Sequence, residues 1–307
     1  MDFEEYNIHH QNLTEKDVAK FKQFLDELVR LAVIYLSFEN ISEGLFEFVK
    51  YKSLQKKINE LLDKFNQKSI ETIDLYVDKH YNISTNKKLF YKGVEIPHNP
   101  LKKQLEAYKK RPERMLSERI WNLSNNFRTE LEMAIDVALS EGTSAKQLAT
   151  QIKKYLKDPD NLFRRYRDKN GELQLSKKAK EYHSGQGVYR SSYKNAERLA
   201  RTEINMAYRE ADFQRWQTLD FVSGYEIKRS KHPYPCQICD MMKGKYPKTF
   251  RWWGNHPNCR CYIVPIFKDN LPEVMMNQEL LDWIKTNQKK IDKAKSKPMF
   301  LWGIKTL

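Results

Sequence analysis

The chain is poor in the features that most direct function assignments depend on. It has ten glycines and four cysteines in 307 residues. It contains no glycine-rich phosphate loop and no Gly-x-Ser-x-Gly elbow, which removes the commonest signatures of nucleotide and acyl-transfer chemistry. No apolar run reaches the roughly 18 residues that a transmembrane helix needs, so no membrane partner is expected. The start, MDFEEYNIHHQNL, is acidic where a secretory signal is basic and then apolar. The expectation is therefore a protein that stays in the cytosol, where thiols are kept reduced and a disulfide framework is disfavoured. No internal repeat of fixed period is seen. The length is ample for burying a core in one large or two modest domains.

What is present is charge, unevenly spread. The net charge is +15. Residues 1–50 carry ten Asp/Glu against five Lys/Arg, whereas residues 145–201 carry fifteen Lys/Arg against six Asp/Glu. Such asymmetry implies two kinds of surface. The basic stretch would meet nucleic acid through phosphate contacts, with Lys153, Lys154, Arg164, Arg165, Arg167, Lys177 and Lys178 as candidates. A solvated basic face with no partner accounts for the same charge.

Periodicity gives a helical body. Val18, Phe21, Phe24, Leu25, Leu28, Leu31 and Ile34 recur at helical spacing from Glu15 to Leu36, with Thr14 as the expected N-cap. Residues 41–81 read as one or two further helices, with Leu54, Ile58, Leu61, Leu62 and Phe65 as a stripe. KLFYKGVEI, within 88–96, reads as a short hairpin or extended arm. A long helix is expected from about Glu113 to Ser140, with Pro112 in its first turn. Gly142 ends it, and Thr143 or Ser144 caps the next helix. The polar, basic segment 157–192 contains DKNG as a hairpin signal and is the expected main insertion. Helicity resumes from Tyr193 to about Leu219. Two strands, in FVSGYEIK and CRCYIVPIF, then flank the cysteines, and a basic helix ends the chain. The fold class is α+β: a predominantly helical body with a small C-terminal β-containing Cys/His unit.

All four cysteines lie in CQICDMMKGKYPKTFRWWGNHPNCRC, residues 236–261. Cys236 and Cys239 form C-x2-C, and His256, Cys259 and Cys261 form H-x2-C-x-C. Two thiolates from one turn and two ligands from a second knuckle are what a tetrahedral structural zinc requires. Five candidates compete for four places. The preferred set is Cys236, Cys239, His256 and Cys259, with Cys261 as an alternative for either of the last two. Buried free thiols, paired cysteines in a compact hairpin, redox chemistry at Cys236 and Cys239 and a catalytic zinc are the competing readings. His256 also reads as a turn residue capping a backbone carbonyl, and Trp252 and Trp253 as packing residues.

A second stretch, NAERLARTEINMAYREADFQRW (195–216), is a helix with Ala200, Ile204, Ala207 and Ala211 as a narrow strip of small residues. Arg201, Asn205, Tyr208 and Asp212 share another face. An acid/base role for Glu203 is weaker than an ion-paired one.

These two stretches together resemble the phage Mu F-like head morphogenesis (minor head protein) family. The carrying residues are ARTEINMAYREA (200–211), CQIC (236–239) and GNHPNCRCYIVP (254–265). The resemblance covers roughly 115–267 and is sharp in the last seventy or so residues. It implies a head morphogenesis domain at 113–267, with the Cys/His unit at 221–267; outside the resemblance, 1–112 is expected to be a helical arm binding a partner and 268–307 a basic helix and tail. It implies no enzyme but a minor head protein of a tailed phage or prophage, acting at the portal vertex in virion assembly. Portal protein would be its partner, along with major capsid or scaffolding protein, and packaged double-stranded DNA would be bound non-specifically. The expected location is the host cytoplasm during assembly and then the inside of the head. By matching position, Arg201, Thr202, Glu203, Pro257 and Arg260 would be architectural residues beside the Cys/His set. Thr202 and Glu203 would hold the helix against the cysteine unit.

Two rival readings remain. A zinc-supported HNH-type nuclease would use His256 and Asn258, but it wants further ligands on a following helix. After Cys261 the chain enters YIVPIF, and no histidine follows. A cellular zinc-containing DNA-binding protein would need sequence-specific base contacts rather than salt-sensitive phosphate binding.

Overall fold

The computed structural model describes residues 2–39, 41, 46–96, 102–140, 142–158, 164–167, 169–171, 173–175, 180–185, 188–268, 276–293 and 299–302. These are mostly helical, with small antiparallel sheets, as the α+β reading expects. The chain packs as two compact units that interleave along the sequence. One takes Met1–Asp17, Ile73–Arg114 and Leu199–Leu307, and the other takes Val18–Thr72 and Met115–Arg198. Each unit thus draws on several of the sequential segments expected from sequence.

The first helix, α1, spans Phe3–Leu36 and begins twelve residues before the expected Glu15. Its cap is reciprocal: Glu5 N–H donates to Asp2 Oδ1 (2.8 Å) and Asp2 N–H donates to Glu5 Oε2 (2.8 Å). Thr14 is consequently not the N-cap. It lies buried inside α1 and donates its hydroxyl to the His10 carbonyl one turn back (2.9 Å). Asp2 and Glu5 of the acidic start thus form a capping box at the head of α1.

The unit built from Val18–Thr72 and Met115–Arg198 is a helical core. It contains the rest of α1, the beginning of α2 (Lys52–Thr85), α4 (Leu116–Ser140) and α5 (Ala145–Lys157). Phe21, Leu25, Leu54, Ile58, Leu62, Phe127 and Ile152 are buried there at helical spacing. Pro112 opens a separate 3-10 turn, Pro112–Arg114, ahead of α4. Gly142, at φ +68°, closes α4: its N–H reaches the Leu139 carbonyl and Thr143 N–H reaches the Ala138 carbonyl, a Schellman arrangement. Ser144 takes the N-cap position of α5: its carbonyl accepts from Gln147 N–H (2.9 Å), while its hydroxyl makes no cap bond. The DKNG signal falls between β3 (Arg164–Arg167) and β4 (Leu173–Leu175), which pair antiparallel. Glu130, fully buried on α4, accepts from Ser192 N–H (2.8 Å), Ser192 Oγ (2.7 Å) and Tyr182 Oη (3.0 Å). That carboxylate caps the start of α6 (Ser192–Gln217), and burial pushes its pKa up to about 7.

The unit containing the cysteines holds the β1–β2 hairpin (Phe90–Tyr91 and Val94–Glu95), α3 (Lys102–Lys109) and most of α6. KLFYKGVEI is the hairpin expected: Lys92 and Gly93 both have positive φ, as a two-residue primed turn demands. A three-stranded sheet follows, in the order β6-β5-β7, with β5 (Val222–Lys228) central and antiparallel to both β6 (Gly244–Pro247) and β7 (Tyr262–Phe267). Pro265 explains why β7 is an edge, because proline has no N–H for a second neighbour. The sheet, with α7 (Gln237–Met242) and α8 (Gln278–Lys293), closes over Trp216, Tyr225, Ile227, Met242, Tyr246, Trp252 and Leu280. Strands β5 and β7 were legible in the sequence, whereas β6 and α7 were not.

Candidate metal centre

The C-x2-C pair sits at the start of α7. Cys236 occupies its N-cap position and Cys239 its first turn, so the three-residue spacing turns both thiols to one side. The second knuckle is a tight turn. Cys259 N–H donates to the His256 carbonyl (3.1 Å), Pro257 supplies the fixed φ, and Asn258 stands at φ +71°. Proline followed by a left-handed Asn is the residue order that a type II turn favours. Cys259 and Cys261 then lie two residues apart on extended chain leading into β7, so both thiols face inward and are buried, while Arg260 between them is partly exposed.

The structure brings the five expected ligands together. His256 Nε2 is 3.3 Å from Cys236 Sγ and 3.2 Å from Cys239 Sγ, and Cys239 Sγ is 4.0 Å from Cys259 Sγ. Tetrahedral zinc with ordinary bond lengths has N···S and S···S edges of roughly 3.6 and 3.8 Å. The donors fall into two triads, Cys236–Cys239–His256 and Cys239–Cys259–Cys261, each with its ligating atoms within 4.8 Å of one another. All four cysteines are free thiols. The cluster therefore fits a metal that takes soft sulfur and imidazole donors.

The surroundings favour ligation too. His256 Nδ1 lies 2.8 Å from the Pro257 carbonyl. Donation there places the lone pair on Nε2, toward the thiols. The carbonyl-capping role and the ligand role of His256 are thus one arrangement. Trp252 Nε1 donates to Asn255 Oδ1 (2.7 Å), which turns the buried Asn255 amide nitrogen toward Cys239. Hydrogen bonds from the Cys259 and Cys261 thiols pull the Cys239 pKa down, although burial opposes them. The same crowding, with burial, pushes Cys261 up, and burial pushes Cys236 up.

Helix α6 holds this cluster from beneath. Arg209, 3% exposed, donates to the carbonyls of Trp253 (2.7 Å), Cys259 (2.7 Å) and Cys261 (2.8 Å). Asn205 Nδ2 donates to the Cys259 carbonyl (2.9 Å). Arg201 Nη1 donates to Asn258 Oδ1 (2.6 Å), and Thr202 Oγ1 accepts from Asn258 N–H (2.9 Å). Glu15 on α1 bridges Arg201 (2.6 Å) and Arg260 (2.7 Å). Gly254 is obligatory: at φ +133°, a Cβ would stand 2.5 Å from Arg209 Nη1.

Thr202 meets the cysteine unit as expected. Glu203 accepts from Arg114 Nε (2.6 Å), both groups being buried, which is the ion-paired reading. Trp252 and Trp253 are buried, and Trp253 Nε1 donates to Glu210 Oε2 (2.7 Å), which fits packing. Arg209, Asn205, Asn255 and Gly254 were not singled out as supports of the cluster. The spacing of 201, 205 and 209 at successive helical turns was the available signal.

The nucleic-acid candidates are only partly placed. Lys153 and Lys154 lie on α5, with Lys153 Nζ 3.6 Å from Asp26 Oδ1 and Lys154 exposed. Arg164, Arg165 and Arg167 belong to β3, but their side chains lie outside the described residues, as do Lys177 and Lys178 altogether. No helix among the described residues is long and apolar enough to cross a membrane. No family model, curated protein or solved structure matches the chain.

Proposed function

We propose that the chain is a minor head protein of a tailed phage, built around one structural zinc and acting in head assembly at the portal vertex. One observation supports this most directly. The two stretches that carry the resemblance, ARTEINMAYREA and GNHPNCRCYIVP, are not independent matches: Arg201, Thr202, Asn205 and Arg209 each bond to the segment 253–261. A conjunction of short motifs that forms one bonded unit is what an inherited architecture would leave. Cys236, Cys239, His256 and a cysteine of the C-x-C pair would hold the zinc, whose contribution is to join α7 to the turn before β7. The portal protein, with capsid or scaffolding protein, would be the partner, and packaged DNA would be bound through phosphates with a steep salt dependence.

The test is mass spectrometry of nuclease- and protease-treated particles induced from the source bacterium, with zinc measured on the purified chain. A few to tens of copies per particle and about one zinc per chain are expected. Absence from intact particles would overturn the assignment to the head. Folded, metal-free protein with reactive thiols would overturn the zinc.

A further inference from the structure

The cluster holds more donors than one zinc takes. Tetrahedral structural zinc uses four ligands. Five converge here, and they do so as two triads that share a single member, Cys239. Cys236, at the start of α7, and His256, at the turn, form one triad with Cys239. Cys259 and Cys261, two residues apart and both buried while Arg260 between them is partly exposed, form the other. Arg209 Nη2 holds both of their carbonyls, at 2.7 and 2.8 Å. Both side chains are buried, at 2% and 4% exposed, and neither has a polar role elsewhere that would bar it from the metal.

We infer that Cys259 and Cys261 are interchangeable in the fourth coordination position, and that Cys239 is the pivot which neither of them replaces. This rests on the zinc reading above. The metal would hold Cys236, Cys239 and His256 and take either sulfur of the C-x-C pair, moving between two nearly equal arrangements of three sulfurs and one nitrogen. The reserve thiol accounts for a cysteine that a conventional knuckle would not contain. It would also retain the ion when one sulfur of the pair is lost, since each sulfur of the pair lies within 4.8 Å of Cys239 Sγ.

Zinc content and the cobalt(II) absorption spectrum of full-length single variants test this. Cys259→Ala and Cys261→Ala are each expected to keep about one metal per chain, to show the same three-sulfur cobalt spectrum and to lose no more than about tenfold in affinity. Cys239→Ala and the double variant Cys259→Ala/Cys261→Ala are expected to lose more than about a hundredfold. Loss of metal from only one of Cys259→Ala and Cys261→Ala would overturn the interchange and leave the zinc reading standing. A wild type without metal would overturn both. Because an alanine variant can fail for want of folding, the cysteine 13Cβ shifts of the zinc-loaded wild type give an independent reading. Cys236 and Cys239 should show ligated values, and Cys259 and Cys261 split or averaged ones. One fully ligated and one fully free sulfur in that pair would refute the exchange.

Discussion

Arg209 is the residue on which the cysteine unit leans most heavily, and replacing it by methionine tests how the unit is held. Methionine keeps the length and packing of the side chain but removes every donor. Three carbonyls lose a charge-assisted partner: Trp253, Cys259 and Cys261. Cys259 retains the Asn205 amide, so two carbonyls are affected most. A buried polar group stripped of its partner costs about 1–3 kcal/mol, giving about 2–6 kcal/mol for the pair. The cation also sits 4.6 Å from the Trp252 ring centroid, a contact worth about 1 kcal/mol more. Against this, methionine is spared the desolvation of a buried guanidinium, which holds the estimate toward its lower half. Even about 3 kcal/mol is a large part of a typical domain's 5–15 kcal/mol. Urea unfolding followed by tryptophan fluorescence would read it directly, since Trp252 and Trp253 lie beside the site. Arg209→Lys should recover only part of the loss, as one ammonium cannot span three carbonyls. If Arg209→Met unfolds at the wild-type midpoint with an unchanged slope, Arg209 is not the clasp described here.

Other perturbations have equally definite signs. Gly254→Ala would force a left-handed alanine and drive its Cβ against Arg209, costing about 2–3 kcal/mol in thermal or urea unfolding; a neutral result would refute the close approach. Glu130 has a folded pKa raised from 4.5 to about 7, so its contribution to stability is complete below pH 4.5 and is lost as pH rises through 7. Glu130→Gln, neutral throughout, should match the wild type near pH 4 and gain on it by up to about 3 kcal/mol by pH 8; parallel stability profiles would sink the burial explanation. Asp2→Ala removes the cap of α1 and should cost about 1 kcal/mol, with faster amide exchange confined to the first turn. Uniform protection there would show that the helix start is held by something else.

The cysteine cluster shows how far reading the chain can go. Donor types and spacing named the five residues of the cluster that could hold a metal, because C-x2-C and H-x2-C are short-range patterns whose geometry local backbone decides. Helices α4 and α6 and strands β5 and β7 were legible for the same reason: apolar period and turn residues are local. Thr14 misled because a threonine ahead of an apolar stripe has the local look of a cap, while the true cap lay twelve residues earlier in a polar segment that α1 buries in part. Strand β6 went unread because GKYP is too short to show a period, and it exists through its pairing with β5.

By itself, the sequence determined which residues would carry chemistry and the helical, α+β character of the chain, since both follow from side-chain type and near-neighbour spacing. Only the tertiary structure decided what those residues do for one another. Arg209 reaches carbonyls 44 to 52 positions away, and Arg201 reaches Glu15 across 186. Glu203 pairs with Arg114 across 89. Such partners are chosen by where the folded chain leaves a buried donor beside an acceptor. Where both groups are buried, as at Arg209 and Glu203, burial makes the pairing compulsory, and no local pattern encodes it.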